Sequence, residues 1–581
     1  EPSSVADILQ FKYEHGDYDA QTFHEALFTK TRFSNRLKDR NVGLISGRKG
    51  SGKTTLVQIR ELEADKETFF PVIDVSVNNW NLHSLIQNTT FSQSEGDFSY
   101  INLDVRFFDF VWSAFVCLSL AVSLAFYEKT ASKEQVSKVG KFINNGTVAR
   151  HLDGLISDAG EIRNFNYSAL FDHSVTACRG YIQESVDEAS SDSEDSFRQD
   201  VSRSVSIRLF LEDLVGKDFA KLETAIRANG NKRFLFCLDR FDSEIQSYRK
   251  QDATLPAEIQ NQRSDREIHW LSSLVNFVNK AVRSDQLFED DRVYEFFSQI
   301  KFLVVLPFDR ITEISKAHRD AISSETVEEI RWQPKELLTM LRKRIQVLYD
   351  VPDNKIRKHE VKDALARFNL CCRSACPKIL TDSYVLLGSQ KFDMELYLYV
   401  LRHTLCRPRD ILIHYAAILA YLESIEDRSP RDITEPIRDI VSNETQSIVE
   451  YEFIGELRDT WTNIEDVLKL FMGSEQVLNV RQLESVIGRT NFQFYHSHSN
   501  LELFHEKVEF LYETGFLGFR STRQAGSGHN QEEFNFDFVT KRKNLPFDSA
   551  AVMANLEFAI HPMFVEKLYL RTNHSKPVLI F

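Results

Sequence analysis

Gly47-Arg48-Lys49-Gly50-Ser51-Gly52-Lys53-Thr54 fits the pattern G-x-x-x-x-G-K-[ST]. Glycines at this spacing let the backbone curl until successive N–H groups face one point, and a helix that follows adds its positive end there. That chemistry holds phosphate. Lys53 is placed to reach β- and γ-phosphates and Thr54 to ligate magnesium. The spacing therefore predicts a site for a nucleoside triphosphate, ATP with Mg2+, lined by Gly47, Gly50, Ser51, Gly52, Lys53, Thr54 and Thr55.

Such a site needs a second acid on a neighbouring strand to hold the metal through its water shell. Phe234-Leu235-Phe236-Cys237-Leu238-Asp239 supplies an apolar run ending in a carboxylate, so Asp239 joins Thr54 as a metal-side residue. Just beyond, Asp242 and Glu244 are candidates to orient an attacking water. Arg240 stands directly after Asp239, and no second acid follows it there. At the end of the next apolar run, Asp309 or Arg310 reads either as a γ-phosphate sensor or as plain surface polarity.

The elements that must position these residues are legible as short apolar runs. Asn41–Ser46 leads straight into the loop and Thr54–Val57 opens a helix behind it. Phe69–Val77, Arg233–Leu238 and Ile300–Leu306 have the length and continuous hydrophobicity of strands buried on both faces. Four strands separated by helical stretches predict an α/β fold with a parallel sheet. Residues 85–230 read as a largely helical insertion within a phosphate-loop domain spanning 1–310, with the acidic run 187–196 as a solvated loop. Residues 311–440 read as a helical lid. In 441–581, helices at 456–470, 481–487 and 501–512 precede two strand-like runs around Phe516–Phe519 and Glu533–Phe538, which predicts a winged-helix domain.

Several motifs occur in a fixed order: the glycine loop, Leu238-Asp239-Arg240-Phe241-Asp242, Ile330-Arg331-Trp332-Gln333-Pro334 through Leu338 with Arg344-Ile345, Arg407-Pro408-Arg409-Asp410, and Ile560-His561-Pro562-Met563-Phe564 with Leu568. Together they resemble the bacterial P-loop ATPases related to the STAND, KAP and archaeal-type AAA groups. The resemblance implies a P-loop NTPase domain, a helical lid and a C-terminal winged helix. It makes Lys53, Asp239, Asp242 and Arg409 the catalytic set, with Arg407 or Arg409 touching the γ-phosphate from the lid. Pro408-Arg409 fits the G-x-P or P-R signature of such lids, with the usual Gly missing. The Glu that AAA-type enzymes carry after the strand acid is replaced by Arg240. A pairing of either arginine with Asp410 at a helix start is the structural alternative. The likeness further implies homo-oligomers and a protein effector encoded nearby, in bacterial conflict systems that include defence against phage.

Composition limits the alternatives. A chain of 581 residues exceeds a single core, and 42% hydrophobic with 12% aromatic residues describes packed domains rather than disorder. The net charge of -14 argues against a surface that is basic throughout. DNA therefore falls to a local patch at Arg520, Arg523, Lys541, Arg542 and Lys543, with Phe516 and Phe519 flanking bases, and a protein partner is favoured over it. Seven Cys without a pairing pattern, and no charged leader ahead of an apolar core, predict the cytoplasm. Phe110–Tyr127 runs eighteen residues without a charge, at the lower bound for a membrane span, but its flanking acids and internal Ser favour a buried helix. Cys371, Cys372 and Cys376 with His403 and Cys406 lack a standard zinc spacing, and His496, His498 and His505 read as polar surface.

Overall fold

Continuous apolar runs form strands where they are covered on both faces, and the computed structural model has them close to their expected places. They are β1 (Leu44–Gly47), β2 (Phe69–Ser76), β3 (Arg233–Asp239) and β4 (Ile300–Pro307). A fifth, β5 (Val327–Glu329), extends the sheet to the order β2-β3-β4-β1-β5. The pairs β2–β3, β3–β4 and β1–β5 are parallel, so the chain has the expected α/β class with a parallel sheet. The structure describes residues 31–64, 69–76, 101–126, 146–189, 206–215, 233–239, 257–283, 291–317, 325–341, 379–380, 393–394, 396–424, 430–495, 500–521, 534–538, 545–547, 549–572, 578 and 580. The chain divides into two compact units, one holding Arg32–Ser46 and Leu56–Glu329, the other Gly47–Thr55 and Ile330–Phe581.

In the sheet unit, α1 (Lys53–Ala64) follows the glycine loop, and α2 (Ile101–Phe126) carries the uncharged stretch. Around α2 pack α4 (Tyr167–Ala189), α5 (Ile207–Val215) and α6 (Ala257–Val282), with α3 (Gly146–Ala159) beyond them. Trp112 shows why α2 is buried rather than membrane-bound: its ring meets Phe115, Phe171 and Trp270 at centroid distances of 6.1, 4.9 and 5.4 Å. Its indole N–H donates to Ser273 Oγ at 3.1 Å. An aromatic side chain taken out of water in this way contributes about 2–3 kcal/mol. The Asp109 carboxylate, at the head of the uncharged run, is neutralised by the Lys280 ammonium. Among the described residues no helix is long and apolar enough to cross a membrane.

The other unit is mostly helical. α8 (Pro408–Ser424) packs on α9 (Pro430–Ser447), which passes without a break into a π-helix, Ile448–Ile454. π-Helices are rare and concentrate at functional places. Then come α10 (Ile464–Lys469), β6 (Val477–Asn479), α11 (Val480–Ile487), α12 (Phe504–Glu513), β7 (Leu517–Ser521) and β8 (Leu556–Ile560). Asn479 and Gln482 form a reciprocal capping box that fixes where β6 ends and α11 begins. The three strands make an antiparallel sheet in the order β6-β8-β7.

Here the sequence reading needs correction. The expected partner of the 516–519 run was Glu533–Phe538, yet that segment contributes one bridge, Phe519 with Asn535. β8 takes the partner's place because Leu556–Ile560 offers β7 five consecutive pairs. Phe516 and Phe519, expected to flank bases, are buried in this core. The helix expected over 456–470 is interrupted, with turns on either side of Trp461, which bridges to Phe494.

Candidate functional site

The glycine loop is built around two residues that only glycine accommodates without strain: Gly50 and Gly52 have φ of +79° and +88°. A Cβ on Gly50 would also lie 2.8 Å from the Arg409 Cβ, whereas one on Gly52 would meet nothing within 4 Å. The two reversals turn the peptide planes so that the carbonyls of residues 47–51 meet donors.

Each of those carbonyls is taken. Lys53 Nζ donates to Gly47 O at 2.8 Å and to Arg48 O at 3.2 Å, and the Ser51 N–H also donates to Arg48 O at 3.1 Å. Arg407 donates to Lys49 O at 2.9 Å, the Arg409 N–H to Gly50 O at 3.3 Å, and Trp332 Nε1 to Ser51 O at 2.8 Å. With the carbonyls committed, the loop's anion affinity rests on its N–H groups. Those of Lys53, Thr54 and Thr55 sit in the first turn of the 12-residue α1, where no carbonyl within the helix can pair them. One amide carries an anion already: the Lys49 N–H donates to the Glu456 carboxylate at 2.9 Å.

Arg407 and Arg409 reach the loop because Pro408 starts α8 between them. Proline suits a first helical position, having no N–H to lose and a fixed φ. Cys406, two residues before that proline where the lid signature would have glycine, takes φ of +53°. Arg407 is locked by Asp410, with Nε 3.1 and 3.0 Å from its two carboxylate oxygens, and by Glu456 at 3.3 Å. Burial works against its charge, but the Asp410 and Glu456 carboxylates outweigh that and hold its pKa above the ordinary value. Arg409 pairs with Glu452 at 2.9 Å. Burial raises the Glu452 pKa, yet Arg409, Arg407 and Lys49 together bring it below the usual carboxylate range. Arg48 donates to the Glu513 carbonyl in the last turn of α12 at 2.7 Å. The loop and its supports thus hold the cations Arg48, Lys49, Lys53, Arg407 and Arg409 against the carboxylates Asp410, Glu452 and Glu456, an excess of positive charge that favours a polyanion.

The structure thus brings together Gly47–Thr55, Arg407 and Arg409. Arg407 makes the pair with Asp410 that is the structural alternative, Arg409 pairs with Glu452 instead, and both touch the loop backbone, Arg407 through its guanidinium and Arg409 through its main-chain N–H. Asp239 is buried at the end of β3 in the sheet unit, and Ser76 stands beside it across the pair with β2. Arg310, at the start of α7 (Phe308–Ala317), is buried against Glu313 at 2.9 Å and Asp309 at 3.5 Å rather than exposed. Asp242, Glu244, Cys371, Cys372, Cys376, His496, His498, Arg523 and Lys541–Lys543 lie outside the described residues. His403 and Cys406 are buried, and among the described residues no group of three or more His, Cys, Asp or Glu could hold a metal ion. Arg520 is committed to Glu557 at 2.6 Å and stacks over Phe534 with its guanidinium 4.6 Å from the ring centre.

Sequence reasoning missed Glu456 and Glu513, which come to the loop from 407 and 465 residues away, and Glu452, which holds Arg409 from 43 residues away, with no spacing to betray them. Trp332 was seen only as part of an ordered motif. Compared with family models, curated proteins and solved structures, the chain gives no match.

Proposed function

We propose that this chain binds ATP with magnesium at Gly47–Thr55 and works as an ATP-hydrolysing switch that passes its nucleotide state to a partner protein. The observation that carries the reading is the commitment of every carbonyl from Gly47 to Ser51 to a donor, which turns negative dipoles away from the first-turn amides of Lys53, Thr54 and Thr55. The space in front of Gly52 and the first turn of α1 fit such a group, and Lys53 keeps one of its three N–H donors for it. Thr54 would ligate the magnesium that neutralises charge on the β- and γ-phosphates, and Asp239 is the acid on which turnover would depend. Lys53 neutralises and orients the transferred group, Arg407 and Arg409 approach it from the lid formed by α8 and α9, and Asp242 orients the water.

The order helix, strand, helix, helix, strand, short helix (Ala550–Met553), strand among the described residues from α10 to β8, with sheet order β6-β8-β7, supports a winged-helix module as the output. Arg520 is neutralised and Phe516 and Phe519 are buried, which favours a protein partner over DNA on this face. On the family resemblance the switch would be a bacterial homo-oligomer working with an effector in anti-phage defence, and the unpaired cysteine pattern favours the cytoplasm.

Binding and phosphate release measured for the wild type, Lys53→Ala and Asp239→Ala test this reading. ATP binding lost in Lys53→Ala and turnover lost in Asp239→Ala are expected. Equal, near-zero release in the wild type and Asp239→Ala would reduce the chain to a nucleotide-binding scaffold, and binding indifferent to Lys53 would refute the site.

A further inference from the structure

Glu456 bonds where a loop amide would otherwise hold a ligand. One carboxylate oxygen accepts from the Lys49 N–H at 2.9 Å and the other faces Arg407 at 3.3 Å. A phosphate oxygen arriving at that amide would meet a negative charge on the donor it needs. We propose that Glu456 is a gate: its carboxylate stands in for phosphate at the Lys49 end of the loop and yields only to a ligand that brings more negative charge there, so it makes the site select triphosphate over diphosphate. This rests on the ATP-site reading above.

The gate does not move alone. Glu456 lies in the helical turn Gly455–Leu457 that continues the π-helix carrying Glu452, and Glu452 holds Arg409 as Glu456 holds Arg407. Displacing Glu456 pulls on the same short segment that grips both arginines. Release of the segment frees the Arg409 guanidinium from Glu452 and takes one of two carboxylates from Arg407, which Asp410 still holds, at the moment an additional phosphate needs positive charge there. The π-helix suits this role, since such turns are rare and concentrate at functional places. Its far side is anchored to neighbouring surface by Glu450, which pairs with Lys567 at 2.5 Å and Arg458 at 3.7 Å. Displacement therefore reaches the surface around Tyr451, which is 73% exposed.

The test uses the full chain with magnesium, ATP and ADP, and the variants Glu456→Gln and Lys53→Ala. Gln keeps the size and can still accept from the Lys49 N–H but has no charge to repel phosphate or hold Arg407. Removing a like charge next to a phosphate should tighten ATP by ~10-fold or more and ADP by less than about threefold. Glu456→Gln binding ATP no tighter than the wild type, while Lys53→Ala binds none, would overturn the gate and leave the ATP site standing; an equal gain for ATP and ADP would overturn the selectivity. Absence of Lys53-dependent binding in both the wild type and Glu456→Gln would sink the gate together with the reading beneath it. Amide hydrogen exchange of the wild type decides the matter without any variant. ATP should raise exchange across 448–457 relative to ADP, and unchanged or slower exchange there refutes the gate.

Discussion

Replacing Trp332 with Phe keeps a large apolar ring and removes one hydrogen bond, the indole N–H to Ser51 O at 2.8 Å. Ser51 is 2% exposed and Trp332 8%, so water has little room to take the lost donor's place. A buried carbonyl left without a partner costs about 1–3 kcal/mol. The loop has one cheap way to relieve that cost, because Gly52 follows with a left-handed φ of +88° and open space around it. Rotation of the Ser51–Gly52 peptide would swing the carbonyl toward the amides and set a negative dipole where phosphate is wanted. Either staying strained or rotating, the loop loses the same order of free energy for anion binding, a factor of about 5 to 150 in affinity. The assay is ATP titration by calorimetry on the wild type and Trp332→Phe, with circular dichroism to show that both are folded. Affinity within twofold of the wild type in a folded Trp332→Phe would refute the argument that committed carbonyls make the site.

Gly50→Ala should abolish ATP binding in a folded chain, since left-handed φ costs a side chain about 1–2 kcal/mol and the new Cβ would meet Arg409 at 2.8 Å; binding like wild type would sink the backbone argument. Acid should unfold the Ile330–Phe581 unit early. Burial, with Arg402 adding to it, lowers the His403 pKa to about 3; burial lowers that of His414 to about 4 despite the pull of Asp410. These rings stay neutral in the fold while the unfolded chain takes protons below about 6.5, so stability is full above that pH and falls as pH drops toward the folded values. At pH 5 each histidine removes ~2 kcal/mol, read by urea unfolding at pH 7 and pH 5, and equal midpoints would contradict it. Arg520→Ala should lower the stability of the β6-β8-β7 module by about 1 kcal/mol, through loss of the Glu557 pair and the Phe534 stack, and leave any salt-dependent DNA binding as it was. A loss of DNA affinity in that variant would restore the nucleic-acid reading.

What could be read from the sequence follows from how local its cause is. β2, β3 and β4 were legible because a strand covered on both faces must be apolar at every position, whichever elements cover it. β5 was not, because Val327-Glu328-Glu329 has one apolar residue and exists through parallel pairing with β1. The glycine loop was legible because positive φ restricts residue type at the site itself. Its supports were not, because a side chain that meets a backbone group leaves no periodicity. Arg407 and Arg409 lie between the two cases: the proline between them announced a helix start, while their partners Glu452 and Glu456 came from a π-helix and the helical turn that continues it, with no sequence signature. Cys406 shows the limit of motif matching, for its φ of +53° is the conformation the signature's glycine serves, reached here with a side chain.

That distribution bears on mechanism. The residues that make the loop are contiguous, but those that hold its shape are Trp332, Arg407, Arg409, Glu456 and the Glu513 carbonyl, all from the Ile330–Phe581 unit. A loop whose shape is set by distant segments cannot change occupancy without changing the strain on them. Trp332 and the Glu513 carbonyl are the stiff ties, since one is a buried ring and the other the end of the helix that packs on β7. Glu456 is the tie that a phosphate competes with directly. On the switch reading, the stiff ties fix where the nucleotide sits and the contested one reports that it has arrived. Trp332→Phe and Glu456→Gln should then act in opposite directions on ATP affinity, although the first removes and the second weakens a favourable contact to the same loop. Two losses of equal sign would mean that both residues only brace it.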